Sequence, residues 1–246
     1  MFPLHDSVPT RFPPLAVWFL VFSSALVFVF ELGMSEREIQ GFFYLFGLVP
    51  ARYTHPEWAQ SVGFPVGDYW PFITSMFLHG GWMHIIGNMW FLWLFGDNVE
   101  DRMGSLRFLL FYLTCGLVAT LVQIFVNPES TLPTVGASGA IAGVLGAYFV
   151  MYPRAQVVVM FPVLFYPFIF ALPAALFLAF WFLMQLLSAG TSALFQSAEV
   201  GGVAWWAHVG GFVAGALLHR LFFSPARMRR FHKDEIDYRS AWNRRL

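Results

Sequence analysis

The chain predicts an all-α polytopic membrane protein, a bundle of six transmembrane helices. Three observations carry this. First, only 11% of its 246 residues are charged while 58% are hydrophobic and 20% aromatic. A soluble domain carries about 25% charged residues, so this surface needs lipid as its solvent; mean hydropathy is +0.63. Second, six apolar stretches approach the roughly 20 residues that a helix needs to cross a hydrocarbon core of about 30 Å. Third, Lys and Arg are distributed very unevenly between the loops those stretches define.

The stretches are residues 14–30, 76–95, 106–126, 138–152, 163–187 and 205–223. The first is followed directly by Glu31 and a polar segment, 34–40, without an Ala-x-Ala cleavage pattern. It reads as a retained helix, not a removed signal peptide. The connection 31–73 carries Phe42, Phe43, Tyr53, Trp58, Phe64, Tyr69 and Trp70, while Pro56, Pro65 and Pro71 interrupt any long helix. Aromatic rings favour the headgroup level, so this segment reads either as lying in the outer interface or, equally on composition, as an ordinary extracytoplasmic loop. Cys115 is the single cysteine and lies within an apolar run, so neither a disulfide framework nor a thiolate metal site is expected. The fourth stretch is short and begins at a serine. The sequence therefore divides into a cytoplasmic N-terminus (1–13), a membrane domain (14–223) and a basic cytoplasmic tail (224–246) that mixes both signs of charge near anionic lipid. The formal net charge is zero, and nothing points to nucleic acid as a partner.

Six spans put both termini and the second and fourth loops on one side. Arg11, Arg102, Arg107, Arg154 and eight basic residues from Arg220 to Arg245 fall there, against Arg37 and Arg52 opposite. Twelve against two sets the termini in the cytoplasm. The second, fourth and sixth helices then all start on the outer side. Ser138 opens the fourth, His208 lies near the start of the sixth, and His84 and Asn88 occupy the first half of the second. Four polar residues on three helices thus share one shallow depth.

Polar groups in hydrocarbon are costly and persist mainly where they pair or act. A serine hydroxyl becomes a useful nucleophile when a base within hydrogen-bond reach removes its proton, and neutral imidazole can do this and later protonate a leaving amine. The resulting oxyanion demands preorganised donors; the Asn88 amide, the His84 imidazole and the Ser138 N–H at a helix start are suitable. His84 and Asn88, four apart, share a helix face. With no Asp or Glu inside the candidate helices at that depth, the reading is a Ser138–His208 dyad. Gly139 and Gly143 on the fourth helix, with Gly136 before it, and Gly211 and Gly215 on the sixth form stripes that let backbones approach closely. The bland reading of such residues is interhelical hydrogen bonding and packing. His79 and His84, five apart, would point to different faces of one helix, so His79 reads as a loop or interface histidine bonded to backbone. No metal site and no cofactor are expected.

These residues together resemble the rhomboid family of intramembrane serine proteases. Gly136-Ala137-Ser138-Gly139 is similar to its G-x-S-G nucleophile motif, and Ala207-His208-Val209-Gly210-Gly211 with Gly215 to its base-bearing A-H-x-x-G-x-x-x-G helix. His79, His84 and Asn88 match its second-helix pattern, and Glu100-Asp101-Arg102-Met103-Gly104 resembles its E-x-R-x-G run. Trp70 and Thr74 fall where some members have a tryptophan–arginine signature and a threonine, but Pro71 stands where the arginine would be. Ala142 stands where some members have a tyrosine against which the base ring packs, leaving the ring's orientation to another neighbour. The resemblance implies the basic six-helix bacterial type in the inner membrane, with a cavity open to the outside. Its substrates would be transmembrane proteins cut near the outer end of their helix, with small residues before the cut and helix-weakening residues after it. The fifth helix and the loop 188–204 would act as gate and cap.

The alternative is a proteolytically inactive relative that binds or unfolds membrane clients, though such relatives usually lack the serine or the histidine. A transporter would want ionisable residues along a through-path or inverted repeats, and a zinc protease an H-E-x-x-H helix; neither is present.

Overall fold

Each of the six apolar stretches contains a helix in the structure, a computed structural model that describes residues 1–163, 166–195, 204–224 and 227. In chain order the elements are β1 (Phe2–Asp6), α1 (Leu15–Leu32), α2 (Glu36–Phe46), α3 (Ala51–Thr54), α4 (Pro56–Ser61), α5 (Pro71–Thr74), α6 (Trp82–Met103), α7 (Ser105–Val126), α8 (Ser138–Met151), β2 (Gln156–Val163), β3 (Tyr166–Pro173), α9 (Ala174–Phe195) and α10 (Trp205–Leu218). Among the described residues, α1, α7 and the Ala174–Thr191 part of α9 are long and apolar enough to cross a membrane. Helix α6 has the length but carries Asp97, Glu100, Asp101 and Arg102 toward its end.

Helix α8 is the axis of the bundle, packed against α6, α7, α9 and α10. Every residue from Gly139 to Tyr148 is buried. Its 14 residues make a helix of about 21 Å, shorter than a hydrocarbon core of about 30 Å. A helix of that length cannot reach both edges of such a core. Close neighbours are possible because the axis is nearly bare: a Cβ on Gly143 would collide with Cys115 of α7, and one on Gly146 with the Phe212 carbonyl of α10. Large rings fill the space further out, with Phe95, Phe108, Phe111, Tyr112 and Tyr148 fully buried.

The far ends of the helices are tied by carboxylates. Glu100 accepts the N–H groups of Ala16 and Val17 at 3.0 and 2.9 Å, satisfying two of the free donors at the start of α1. Asp101 accepts those of Arg11 and Phe12 at 3.3 and 3.0 Å. Gly104, at φ +82°, turns the chain from α6 into α7. The E-x-R-x-G run thus docks α1 on α6 as well as closing a loop.

The structure corrects the fifth stretch. Residues expected as a helix from 163 begin as strand: β2 and β3 pair antiparallel, Val157 opposite Leu172 and Val159 opposite Phe170, and the helix starts only at Ala174. Val157, Val158, Val159, Phe168, Ile169 and Phe170 favour a pleated surface, and Pro162, Pro167 and Pro173 cannot sit inside a helix. The N-terminus joins this sheet, β1 pairing with β2. Asp6 accepts from the Tyr148 hydroxyl at 2.6 Å and from Asn98 at 3.1 Å, and Trp90 donates to the Pro3 carbonyl at 2.7 Å. The bundle is helical, with a three-stranded sheet at the end opposite Ser138.

The long first connection is built of short helices, as its prolines require. Ser35 and Glu38 form a capping box at the start of α2. Arg52 takes over the anchoring that Pro71 denies to the position after Trp70. Its guanidinium lies 2.7 Å from the Asp68 carboxylate and 4.9 Å over the Phe64 ring. Thr74 donates to the Phe46 carbonyl at 2.6 Å. This connection in turn pins residues 127–137, which lead into α8: Leu48 and Thr134 exchange backbone bonds at 2.9 and 2.7 Å, and Ala51 donates to Ser130 at 2.9 Å. Of the expected cap over 188–204, the chain to Phe195 belongs to α9, while 196–203 lie outside the described residues, as does the tail apart from 224 and 227.

Candidate active site

Ser138 is delivered by a turn that only glycine permits. Gly136 adopts φ +125°, and a Cβ there would fall 2.6 Å from His84 Nε2. Its N–H donates to the Ser75 carbonyl at 2.8 Å, fixing the turn to the segment before α6. Gly136, expected as a helix-packing residue, instead shapes the approach to the site. Ser138 is then the first residue of α8, so its own N–H has no acceptor within the helix and faces outward with the positive end of the helix dipole.

His208 lies in the first turn of α10, buried, with Nε2 2.7 Å from Ser138 Oγ. What holds α10 so near α8 is the second glycine stripe. A Cβ on Gly211 would meet the Gly139 carbonyl, and one on Gly215 the Gly143 carbonyl. The stripes do face each other in that sense. Gly139 and Gly143 also serve α7: a Cβ on Gly139 would lie 2.7 Å from that of Ala119. Ala142 is fully buried, and its Cβ would lie 3.4 Å from one on Gly211, leaving no space for a tyrosine ring.

Two neighbours that orient His208, Gln185 and Trp181, come from α9, and sequence reasoning missed them. Nδ1 lies 2.8 Å from Gln185 Oε1. The ring packs 6.0 Å from Trp181, tilted by 36°, and 6.0 Å from Trp205 at 90°. A signal was available: Gln185 is the first polar residue after eleven apolar ones at the start of α9, and a lone polar group in a membrane helix calls for a partner.

His84 and Asn88 approach from α6. The Gly80 N–H donates to His84 Nδ1 at 3.4 Å. That leaves the ring proton on Nε2, the atom beside Gly136. The Asn88 amide nitrogen would be 3.6 Å from a Cβ on Gly136, and it is buried without a hydrogen-bond partner. Buried donors ordinarily have acceptors, so an N–H group awaiting an acceptor beside Gly136, two residues before Ser138, is suited to a transient oxyanion. His79 precedes α6 and is buried. Its Nδ1 bonds the Phe77 carbonyl at 3.1 Å, and its N–H donates to Glu31 at 3.2 Å. Its ring nevertheless stands edge-on to His84 at 5.3 Å. The separation expected of two residues on one helix does not apply, because His79 lies outside α6. Behind Ser138 a cavity of about 30 Å³ is bordered by Ser75, Thr120, Gln123 and Gly136, room for a single water-sized molecule.

By fold the chain is a polytopic helical membrane protein with a serine–histidine pair inside its bundle. It belongs to the rhomboid family: the family model for the rhomboid domain matches residues 66–225. The chain is similar to rhomboid protease GluP of Bacillus subtilis, with 42% identity over 33% of this chain and 15% of the relative. RHOMBOID-like protein 5 of Arabidopsis thaliana is 37% identical over 33% of this chain and 26% of its own length. Rhomboid protein 1, mitochondrial, of Saccharomyces cerevisiae is 29% identical over 59% of this chain and 39% of its own. The matched segments are minor parts of those proteins.

Proposed function

We propose that the chain is an intramembrane serine endopeptidase that cuts transmembrane segments of membrane proteins near their outer end, using Ser138 and His208. The observation that carries this is the 2.7 Å contact between His208 Nε2 and Ser138 Oγ at the start of a buried helix. Ser138 Oγ attacks the scissile carbonyl carbon while His208 Nε2 takes its proton. The carbonyl oxygen becomes an oxyanion received by the Ser138 N–H, the Asn88 amide and His84 Nε2–H. Collapse breaks the C–N bond, and the imidazolium returns its proton to the leaving amine. Water, activated by the same imidazole, then hydrolyses the acyl-enzyme and restores the serine. A peptide carbonyl inside a membrane helix is already hydrogen-bonded to its own chain, so the segment must unwind locally to present it.

The reading includes one membrane domain over 14–223 in a bacterial plasma membrane, with both termini cytoplasmic, supported by the twelve-to-two distribution of basic residues. No cofactor takes part in the steps above. The test is labelling by a serine-directed fluorophosphonate in detergent, beside cleavage of a single-span substrate in liposomes. Wild type labels at Ser138 and cuts. Ser138→Ala and His208→Ala remain folded and do neither. Either variant cutting at the wild-type rate would refute the dyad. Substrate binding with neither labelling nor cleavage by wild type would favour the inactive client-binding relative.

A further inference from the structure

Helix α9 brings a buried polar side chain, that of Gln185, to the base. We propose that Gln185 is a positioning residue: its side-chain carbonyl holds the His208 ring with the proton on Nδ1, which keeps Nε2 free to accept from Ser138. This rests on the Ser138–His208 assignment above.

The hydrogen bonds close in one way only. Gln185 Nε2 donates to the Trp181 carbonyl one turn back, at 3.2 Å. A carbonyl oxygen cannot donate, so the amide nitrogen must face it. The amide oxygen is then the atom 2.8 Å from His208 Nδ1. It too can only accept, so Nδ1 must carry the proton. Nε2 is left with a lone pair, 2.7 Å from a hydroxyl that can donate. Trp181 and Gln185, four apart, share a face of α9. Together they supply a wall and an acceptor, which is the function that Ala142 cannot perform.

A neutral amide suits this place. A carboxylate would hold the ring as well, but an unpaired buried charge is far costlier than a buried amide with both ends bonded. The ordinary alternative is that Gln185 only fastens α9 to α10. Interhelical hydrogen bonds in membranes average about 0.6 kcal/mol, and losing one would touch stability and not the chemistry.

The test uses the full chain in detergent, with Gln185→Leu, Gln185→Glu and wild type. The ¹⁵N shifts of the histidine ring nitrogens read the tautomer without any activity, and a His208→Ala difference spectrum assigns them. In Gln185→Leu the Nδ1–H form should give way to a mixture rich in Nε2–H, while Gln185→Glu restores Nδ1–H. For cleavage, Gln185→Leu should lower kcat by about 10- to 100-fold with little change in KM. That is less than the ~10⁴-fold loss when a serine-protease histidine is held in the wrong tautomer. Gln185→Glu should recover most of it. If Gln185→Leu does not fold, Gln185→Met removes the same acceptor with a more adaptable side chain. An unchanged tautomer in the Leu or Met variant, or a wild-type kcat, overturns the proposal, and a lowered Tm alongside either result assigns Gln185 to fastening. Should Ser138→Ala still cleave, the protease assignment fails, and the ring shifts still decide what Gln185 does to His208.

Discussion

Gly215 lies seven residues beyond His208, about 10 Å along the helix axis, and touches none of the reacting groups. Replacing it with alanine is nevertheless expected to disable the site. A Cβ at Gly215 would sit 2.5 Å from the Gly143 carbonyl carbon, 2.7 Å from its Cα, and closer still to its oxygen. Carbon atoms in contact settle at about 3.5–4.0 Å, so α8 and α10 must part by about 1 Å. The opposing atoms are backbone inside a buried helix and cannot swing aside. Starting from 2.7 Å, even most of that displacement at the level of His208 takes Nε2 and Oγ to about 3.5 Å, the edge of any hydrogen bond. A misplacement of this size costs about 10²-fold in rate, and overpacking costs about 1–3 kcal/mol in stability. The assay is the initial rate of fluorophosphonate labelling at Ser138, beside a thermal melt of the same preparation. The control is Gly87→Ala on α6, where a Cβ meets nothing within 4 Å and where alanine is the better helix former by about 1 kcal/mol. Wild-type labelling and melting in Gly215→Ala would refute the reasoning, because the helices would then not be held together through these glycines. Equal damage from Gly87→Ala would refute it too, by making the effect one of alanine rather than of contact.

Asn88→Ala removes a buried amide N–H that has no other partner. Cleavage should fall by about 10²–10³-fold with the fold intact, and an unchanged rate in the Asn88→Ala, His84→Ala double variant would leave both as packing residues. Glu100→Ala strips the acceptor from two buried N–H groups at the start of α1, which should cost about 2–5 kcal/mol, read as a fall in Tm. Burial, with the Asp97 carboxylate adding to it and the Tyr148 hydrogen bond opposing it, pushes Asp6 up to about 7. A carboxyl raised in the folded state stabilises fully below its unfolded value of about 4, and that stability drains away as pH rises toward 7. Wild type should therefore lose Tm more steeply than Asp6→Asn between pH 5 and pH 8; parallel curves would show that Asp6 does not titrate there. Chelators should leave cleavage untouched, since the steps proposed use only side chains and backbone, and activity lost to chelator and returned by zinc would refute that chemistry.

The candidate site was legible in sequence to the extent that its geometry is helical. Ser138, His208, His84 and Asn88 could be placed at one depth because apolar length and basic residues fix where helices begin, and helix starts are where these residues lie. Partners across the bundle were not legible. Nothing in residue spacing says that Gln185 of α9 reaches Nδ1 of His208, since that depends on how far α9 is rotated about its own axis. Gly136 was misread for a related reason. Its place in a row of glycines suggests packing, whereas its role follows from a positive φ and from His84 standing where a Cβ would be.

The sheet was hidden by the same property that revealed the helices. Residues 156–195 contain no charged side chain, and a charge-free apolar run of that length reads as membrane helix by composition. Only the local chemistry separates its halves: three valines in a row and a series of aromatics among three prolines in the first, Ala174-Ala175-Leu176 opening the second. Prolines at 162, 167 and 173 each deny a helix its backbone donor, so no helix could run through the first half. Pairing with β1 satisfies the other edge of β2. That also explains how the N-terminal segment is tied to the bundle: with Asp6 bonded to Tyr148 and Asp101 to Arg11 and Phe12, the chain before α1 is held to α6 and α8 at the end remote from the site. At the opposite end, beside Gly136, Asn88 holds an amide N–H without an acceptor. A buried N–H held without an acceptor at the turn leading into α8 is the disposition expected of a site that must receive a charge only while it reacts.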